Sequence, residues 1–208
     1  MRMGRLSGFR ALLIGSAVLL AGWRIASAQG SPTRFDAGGQ IVATSSEQFD
    51  GSDFGFGGRF AWHPLTLLGV EAELDLYPGE FPEGRAFSRR RVEGLSGVTA
   101  GPRFDRVRLF GKLRAGFLRV DEAPRPFACI LIFPPPLACT LAAGHTLAVV
   151  DVGGGIEASV TPRTFVRVDA GDRMTRYPGP SFDAGGVRRD DGFFGHDFRF
   201  SAGAGVRF

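Results

Sequence analysis

Histidine is the residue type best suited to acid–base chemistry near neutral pH, and the chain contains three: His63, His145 and His196. A hydrolytic site needs a His within reach of a Ser or a carboxylate. His196 has the most such neighbours in sequence, namely Ser181, Asp190, Asp191 and Asp197. No ordered signature such as His-x-Ser accompanies them. The sequence therefore predicts a protein that is not an enzyme and has no cofactor, with a hydrolytic or weak metal site near His196 as a minor alternative.

A second set of candidate functional residues is charged, and its members occupy alternate positions in otherwise apolar segments. Its members are Arg59, Glu71, Glu73, Asp75, Arg108, Lys112, Arg114, Asp151, Glu157, Arg167, Asp169, Arg199 and Arg207. If these side chains share one confined space, opposite charges should pair, because a lone buried charge is costly. In particular, we expect Arg59 to face Glu71 and Glu73.

The segments that carry these charges alternate with period two, as β-strands do. Val70, Ala72, Leu74 and Leu76, for example, are interleaved with acids. The same pattern recurs at 107–117, 150–158, 166–170 and 198–208, and more weakly at 35–46, 54–63 and 93–104. Segment 93–104 is the least regular of the eight. Eight strands of about 9–12 residues match the length that a tilted strand needs to cross a bilayer.

The connections between these segments alternate between short and long. The short ones are 63–66, 105–106 and 161–163, and the long ones are 47–53, 78–92, 121–145 and 173–196. Tight periplasmic turns and long outer loops are typical of bacterial outer-membrane barrels. We therefore predict an all-β fold: an eight-stranded antiparallel up-and-down transmembrane β-barrel.

Alternation alone does not say which face points outward, and a soluble periplasmic barrel with an apolar core is an alternative. The consistently charged second face favours an apolar exterior in lipid and a salt-bridged, non-porous lumen. Aromatic residues at strand ends favour interface girdles: Phe35, Trp62, Tyr77, Phe104, Phe165, Phe198 and Phe208.

Residues 1–28 have the features of a cleaved secretory signal, with an arginine-rich start, an apolar run and an Ala-x-Ala site before the Ala28–Gln29 bond. This division leaves 29–208 as the barrel domain. The signal contains four Arg and no acid, so the remainder has 21 basic and 21 acidic residues. A net charge of zero gives no support for a nucleic-acid partner.

Two further features lie in or near the long loops. Cys129 and Cys139 are an even pair in an exported chain, which favours one disulfide over two unpaired thiols. The same loop contains an apolar run, Ile130, Leu131, Ile132 and Phe133, which either binds an extracellular protein or lipid partner or folds over the barrel mouth. Gly153-Gly154-Gly155 lies inside a strand and is interpreted as relief of crowding, since no Lys or helix follows it.

Several of these segments resemble one family. The stretch Leu68–Asp75 resembles the "lGlEaeld" strand of OmpA/OmpX-like outer-membrane barrel domains. Gly101–Phe104 resembles the family's "GprY/F" motif, and Gly153–Glu157 resembles its sixth strand. The final Gly205–Phe208 is similar to the C-terminal signal, ending on Phe208, that the barrel-assembly machinery recognises.

This resemblance implies a Gram-negative-type outer membrane, lipid contact and barrel-assembly machinery during biogenesis. It extends to the barrel alone, without a periplasmic peptidoglycan-binding domain. We expect a monomer with a structural or surface-interaction, adhesin-like role through its loops. The alternatives are a narrow or gated channel and, less favoured, a lipid-modifying enzyme.

Overall fold

The computed structural model describes residues 35–47, 51–79, 90–122, 143–179 and 192–208, with Leu137, Leu141 and two short strands. In this part of the chain no helix is long and apolar enough to cross a membrane. The long strands are β1 (Phe35–Ser46), β2 (Gly51–Trp62), β3 (Leu68–Tyr77), β4 (Arg91–Ala100), β5 (Val107–Val120), β6 (His145–Ser159), β7 (Thr164–Tyr177) and β8 (Phe193–Arg207). Two-residue strands add Arg103–Phe104, which pairs with β5, and the pair Ser181–Phe182 and Arg188–Arg189.

Each long strand pairs antiparallel with the next, and β1 pairs with β8. At the closing seam Phe35 N donates to Phe208 O at 3.1 Å, and Phe208 N donates to Phe35 O at 3.0 Å. The sheet therefore closes on itself and leaves no long strand with an unpaired edge. The predicted eight-stranded antiparallel barrel is confirmed.

The two faces of each strand have opposite character, because successive side chains of a strand point to opposite sides of the sheet. On β3, Glu71, Glu73 and Asp75 are buried inside the barrel, while Val70 and Leu74 are 41% and 52% exposed. Large apolar side chains cover the outside in the same way on all eight long strands. The charged face is thus internal and the apolar face external, as predicted.

Two of the aromatic residues expected in girdles point inward, which corrects the prediction. Tyr77 and Phe165 are each 1% exposed, because they share strand parity with the lumen residues Asp75 and Arg167. The other predicted girdle residues are exposed: Phe35, Trp62, Phe104, Phe198 and Phe208. Alternation along the strand decides which way a side chain points. Where a position at a strand end suggests the other direction, the alternation still holds.

The connections at one end of the barrel are short, at 63–67, 101–106 and 160–163. We call this the short-turn end and the opposite one the long-loop end. The strands run further toward the long-loop end than the sequence pattern indicated, so the last long connection shortens to 178–192.

At the long-loop end, one side of the lumen is apolar. Its buried cluster consists of Leu95, Leu118, Val120, Leu141, Leu147, Val149 and Tyr177, with Leu137 and Phe193 packed against it. Leu137 and Leu141 belong to the β5–β6 connection, so part of that loop folds back into the barrel mouth.

Gly155 shows what the triple glycine of β6 does. A Cβ at this position would lie 2.5 Å from the Cβ of Asp169 and 2.7 Å from the ring of Phe110. The missing side chain therefore lets the Phe110 ring and β7 approach β6.

Candidate functional site

The interior of the barrel holds the charged residues identified in the sequence, and one ion pair crosses it. Arg167 on β7 donates to Glu71 on β3 through two nitrogens, at 2.8 and 3.1 Å. Its Nε also donates to Asp169 at 2.9 Å. Because β3 and β7 lie on opposite sides of an eight-stranded barrel, this bidentate pair spans the lumen.

Arg114 and Lys112 of β5 extend the network sideways. Arg114 Nε donates to Asp151 at 2.8 Å, and Arg114 NH1 lies 3.3 Å from Glu71 and also bonds Glu73. Lys112 lies between two carboxylates, with Nζ 3.2 Å from Asp151 and in contact with Asp169 on β7.

Arg199 of β8 continues the network toward the long-loop end. It donates to Asp75 at 2.6 Å and also bonds Glu73. Gln40 of β1, which sequence reasoning missed, donates to the same two carboxylates at 2.9 and 3.2 Å. The neutral Gln40 amide bridges the two acids and separates their charges, and it adds no charge of its own.

A further layer of charges nearer the long-loop end was also missed. Arg173 donates to Asp197 at 2.7 Å and lies 3.4 Å from Glu93, which in turn accepts from Tyr77 at 2.6 Å. Arg91 pairs with Asp53 beside this layer. Arg173 is two positions from Gly171 and four from Asp169 on the same strand, so its side chain points to the same face as Asp169. This spacing could have revealed the layer.

At the short-turn end, Glu157 accepts from Arg207 at 2.6 Å and from Arg103 at 3.1 Å. Arg108 faces Glu157 in register, but within the described part of the chain its one side-chain hydrogen bond is to Thr99, at 3.3 Å. Arginines are therefore in excess over carboxylates at this end of the lumen.

Arg59 does not pair as expected. It lies opposite Glu73 in register, yet among the described residues it makes no ion pair within 4 Å. Glu71 and Glu73 are already bonded to other arginines. The Arg59 guanidinium instead lies 5.6 Å from the centre of the Phe165 ring.

The structure separates the residues that the sequence grouped into a possible hydrolytic or metal site near His196. His196 points outward and bonds Asp172 at 2.8 Å, whereas Asp197 points into the lumen. His145 lines a groove of about 270 Å³ with Arg176 and Tyr177. The described residues do not include Asp190, Asp191 or the side chain of Ser181. Among the described residues, no cluster of metal-ligating side chains occurs.

His63, which the sequence pattern places in a short connection, does more than form a turn. It follows β2, but its side chain is buried and its Nε2 lies 2.9 Å from Asp36 of β1. The Cys129–Cys139 disulfide, the apolar run Ile130–Phe133 and the Ala28–Gln29 cleavage site lie outside the described residues and stay predictions.

Comparisons with known proteins agree with this fold. No protein-family model and no curated protein matches the sequence. Among solved structures, Neisserial surface protein A has a TM-score of 0.50 at 17% identity, over 86% of this chain and 100% of that one. The N-terminal barrel of Pseudomonas aeruginosa OprF has a TM-score of 0.50 at 8% identity, over 83% and 97%.

Both neighbours are small eight-stranded outer-membrane barrels of the OmpA/OmpX-like type. The predicted resemblance is thus confirmed for the fold, which is that of a small outer-membrane β-barrel. The outer-membrane location predicted from the sequence is consistent with these neighbours.

Proposed function

We propose that this protein is a non-conducting outer-membrane barrel that serves as a rigid support for surface loops, in a structural or adhesin-like role. The observation that carries the proposal is the bidentate Arg167–Glu71 pair across the lumen. A side chain that bridges opposite walls narrows the path open to water at that level.

Burial of the surrounding charges supports a closed lumen. Arg114 is 1% exposed, and Asp75, Asp151 and Arg199 are 0% exposed. The interior of an eight-stranded barrel is just wide enough for side chains to fill. The apolar cluster at the long-loop end adds a second, chemically different obstruction.

The outward apolar face supports a location in lipid. An exterior that carries Ile41, Phe54 and Phe56 at 67%, 72% and 53% exposure is poorly suited to water and well suited to hydrocarbon. In this orientation the short turns face the periplasm and the long loops face outward.

Biogenesis follows from the same proposal. Residues 1–28 direct export and are removed before Gln29, and the segment that ends at Phe208 is read by the barrel-assembly machinery. The mature barrel acts as a monomer without a cofactor and without enzymatic activity.

Conductance in planar bilayers tests the closed lumen. We expect the mature protein to give no steady conductance steps, whereas an R114A/R167A variant, which removes the guanidinium groups that reach Glu71 from β5 and β7, gives a leak. Steady steps from the unaltered protein would favour the narrow-channel alternative, in which the lumen ion pairs exchange partners.

The surface role is tested on the β5–β6 loop. Replacing Ile130, Leu131 and Ile132 with Ser should abolish adhesion of barrel-bearing vesicles to host-cell or lipid surfaces. Replacing the turn residues Leu65 and Leu67 with Ser is the matched control. Unchanged adhesion of the loop variant would contradict the role and favour a loop that only folds over the mouth, as Leu137 and Leu141 do.

A further inference from the structure

Four arginines crowd the short-turn end of the lumen, and we call them the arginine cluster: Arg59, Arg103, Arg108 and Arg207. Arg103 and Arg108 are directly opposite each other in register, and Arg108 is also opposite Glu157. Like charges on facing strand positions are destabilising unless something else compensates them.

The carboxylates nearby are too few to compensate this charge. Arg103 and Arg207 converge on the same oxygen, Oε1 of Glu157, at 3.1 and 2.6 Å. Asp36 is a further buried acid at this end, but it is bonded to His63 at 2.9 Å and lies 3.8 Å from Arg207. Glu71 is held by Arg167 and Arg114.

Aromatic rings hold the guanidinium groups in place without neutralising them. Arg59 and Arg207 both lie over the Phe165 ring, at 5.6 and 4.9 Å from its centre. Arg108 lies 5.7 Å from the centre of the Phe110 ring, which Arg167 also covers. Such contacts are attractive, but they leave the hydrogen-bond donors of the guanidinium unused.

Several of these donors are buried and unpartnered. Arg108 is 1% exposed, and its Nε and NH1 have no hydrogen-bond partner among the described residues. Nε of the 6%-exposed Arg207 is in the same condition. A buried donor without a partner costs about 1–3 kcal/mol, and more when the group is charged. The cluster thus combines surplus positive charge with buried guanidinium donors that make no hydrogen bond to the described residues.

We propose that the arginine cluster is a binding site for a small oxyanion of the phosphate class at the short-turn end of the lumen. Guanidinium groups present N–H donors in a planar fork that fits phosphate and similar oxyanions in bidentate fashion. Arg103, whose side chain is 35% exposed, and the half-buried Arg59 provide the approach from the barrel end. The proposal does not depend on the lumen being closed.

Calorimetric titration with inorganic phosphate tests the site. The mature barrel is held in a non-ionic, phosphate-free detergent at constant ionic strength. The test variant is R59Q/R108Q, which orphans no carboxylate, because neither arginine makes an ion pair within 4 Å among the described residues. The control R119Q/R176Q removes the same charge from exposed positions of β5 and β7 near the long-loop end.

We expect saturable phosphate binding that weakens at least tenfold in R59Q/R108Q and changes less than twofold in R119Q/R176Q. Absence of saturable binding, or an equal loss in both variants, would overturn the proposal. If R59Q/R108Q fails to show the heat-dependent gel shift of a folded barrel, R108K replaces it. This variant keeps the charge but loses the planar fork, and unaltered phosphate affinity in R108K would also count against the site.

A second arm identifies the source of the oxyanion. Phosphatidylglycerol is added to the same micelles at fixed phosphate concentration. Displacement of phosphate would assign the site to a lipid headgroup, and unchanged phosphate binding would assign it to a free anion.

Discussion

Arg167 and Glu71 are 96 positions apart in sequence and face each other across the barrel, joined by two hydrogen bonds of 2.8 and 3.1 Å. Both residues are buried; Arg167 Nε also donates to Asp169, and Arg114 NH1 donates to the Glu71 Oε1 that accepts from Arg167. Arg167, Glu71, Asp169 and Arg114 therefore form a network in which each of the four charges has at least one oppositely charged partner. Removal of one partner leaves the other charge buried.

The Arg167–Glu71 pair predicts a non-additive double-mutant cycle. E71Q alone should lower the free energy of unfolding by about 3–5 kcal/mol, because Arg167 loses its bidentate partner in a buried site. The double variant E71Q/R167Q should cost less than the sum of the two single changes. Urea unfolding of the mature barrel in vesicles measures each value.

A matched control for this cycle is the exposed pair Arg119–Asp121. These two side chains are 66% and 41% exposed and 3.5 Å apart. Screening by water limits such a pair to about 0–1 kcal/mol. If R119Q destabilises the barrel as much as E71Q, the lumen network has no special role in stability.

The outward face of β3 predicts a clear difference between two arginine substitutions. L74R places a charge in the apolar exterior, where Leu74 is 52% exposed. Near the bilayer midplane this should cost about 2–4 kcal/mol and slow insertion into vesicles. T146R, on the outward face of β6 at the long-loop end, should insert normally. The heat-dependent gel shift after refolding measures both, and equal insertion would mean that Leu74 does not face lipid.

Gly155 and Gly39 predict losses of stability of different size for the same change from glycine to alanine. G155A places a methyl group against Asp169 and the Phe110 ring, so we expect a loss of about 1–3 kcal/mol from overpacking. G39A meets its nearest atom at 3.8 Å and should cost less than half as much. Thermal unfolding in detergent compares the two. A tolerated G155A would show that the triple glycine has no packing role.

The apolar cluster at the mouth predicts how the β5–β6 loop responds to truncation of one side chain. L141A removes part of a residue that is 9% exposed, and such losses cost about 2–5 kcal/mol in well-packed sites. Here the loss should appear as faster proteolysis within 121–144, with the barrel intact. L65A, in an exposed turn, is the control. Equal cleavage rates would mean that Leu141 does not hold the loop.

The sequence predicted the barrel well because period two is a strong local signal. Asp75 and Leu74 could be assigned to opposite faces from their neighbours alone, and the alternating connection lengths supplied the topology. It failed where parity was overlooked: Asp197 was grouped with His196, although adjacent strand residues point to opposite faces. Glu93 was missed because its strand has a Gly at 94 and 97 and a Ser at 96, which blur the alternation.

The partners of individual charges were predictable only in part, because Arg114–Asp151 and Arg173–Asp197 join register neighbours whereas other pairs cross the lumen. Arg59 is opposite Glu73 in register, yet Glu73 bonds Arg114 and Arg199, which come from strands distant in sequence. Pairing across a closed lumen depends on which long side chains reach furthest. Neighbour relations along the sheet do not contain that information.

The long sequence separation of the lumen ion pairs also bears on how the chain folds. Arg199 and Asp75 are 124 positions apart, and their charges meet only after β1 and β8 have joined. Contacts of this kind make folding slow, since loop-closure entropy is lost before any attraction is gained. Until closure, each half of the sheet carries unneutralised charges on its concave side. The completed network thus makes a large favourable electrostatic contribution at the last step of assembly. Partly closed barrels lack this contribution and are disfavoured.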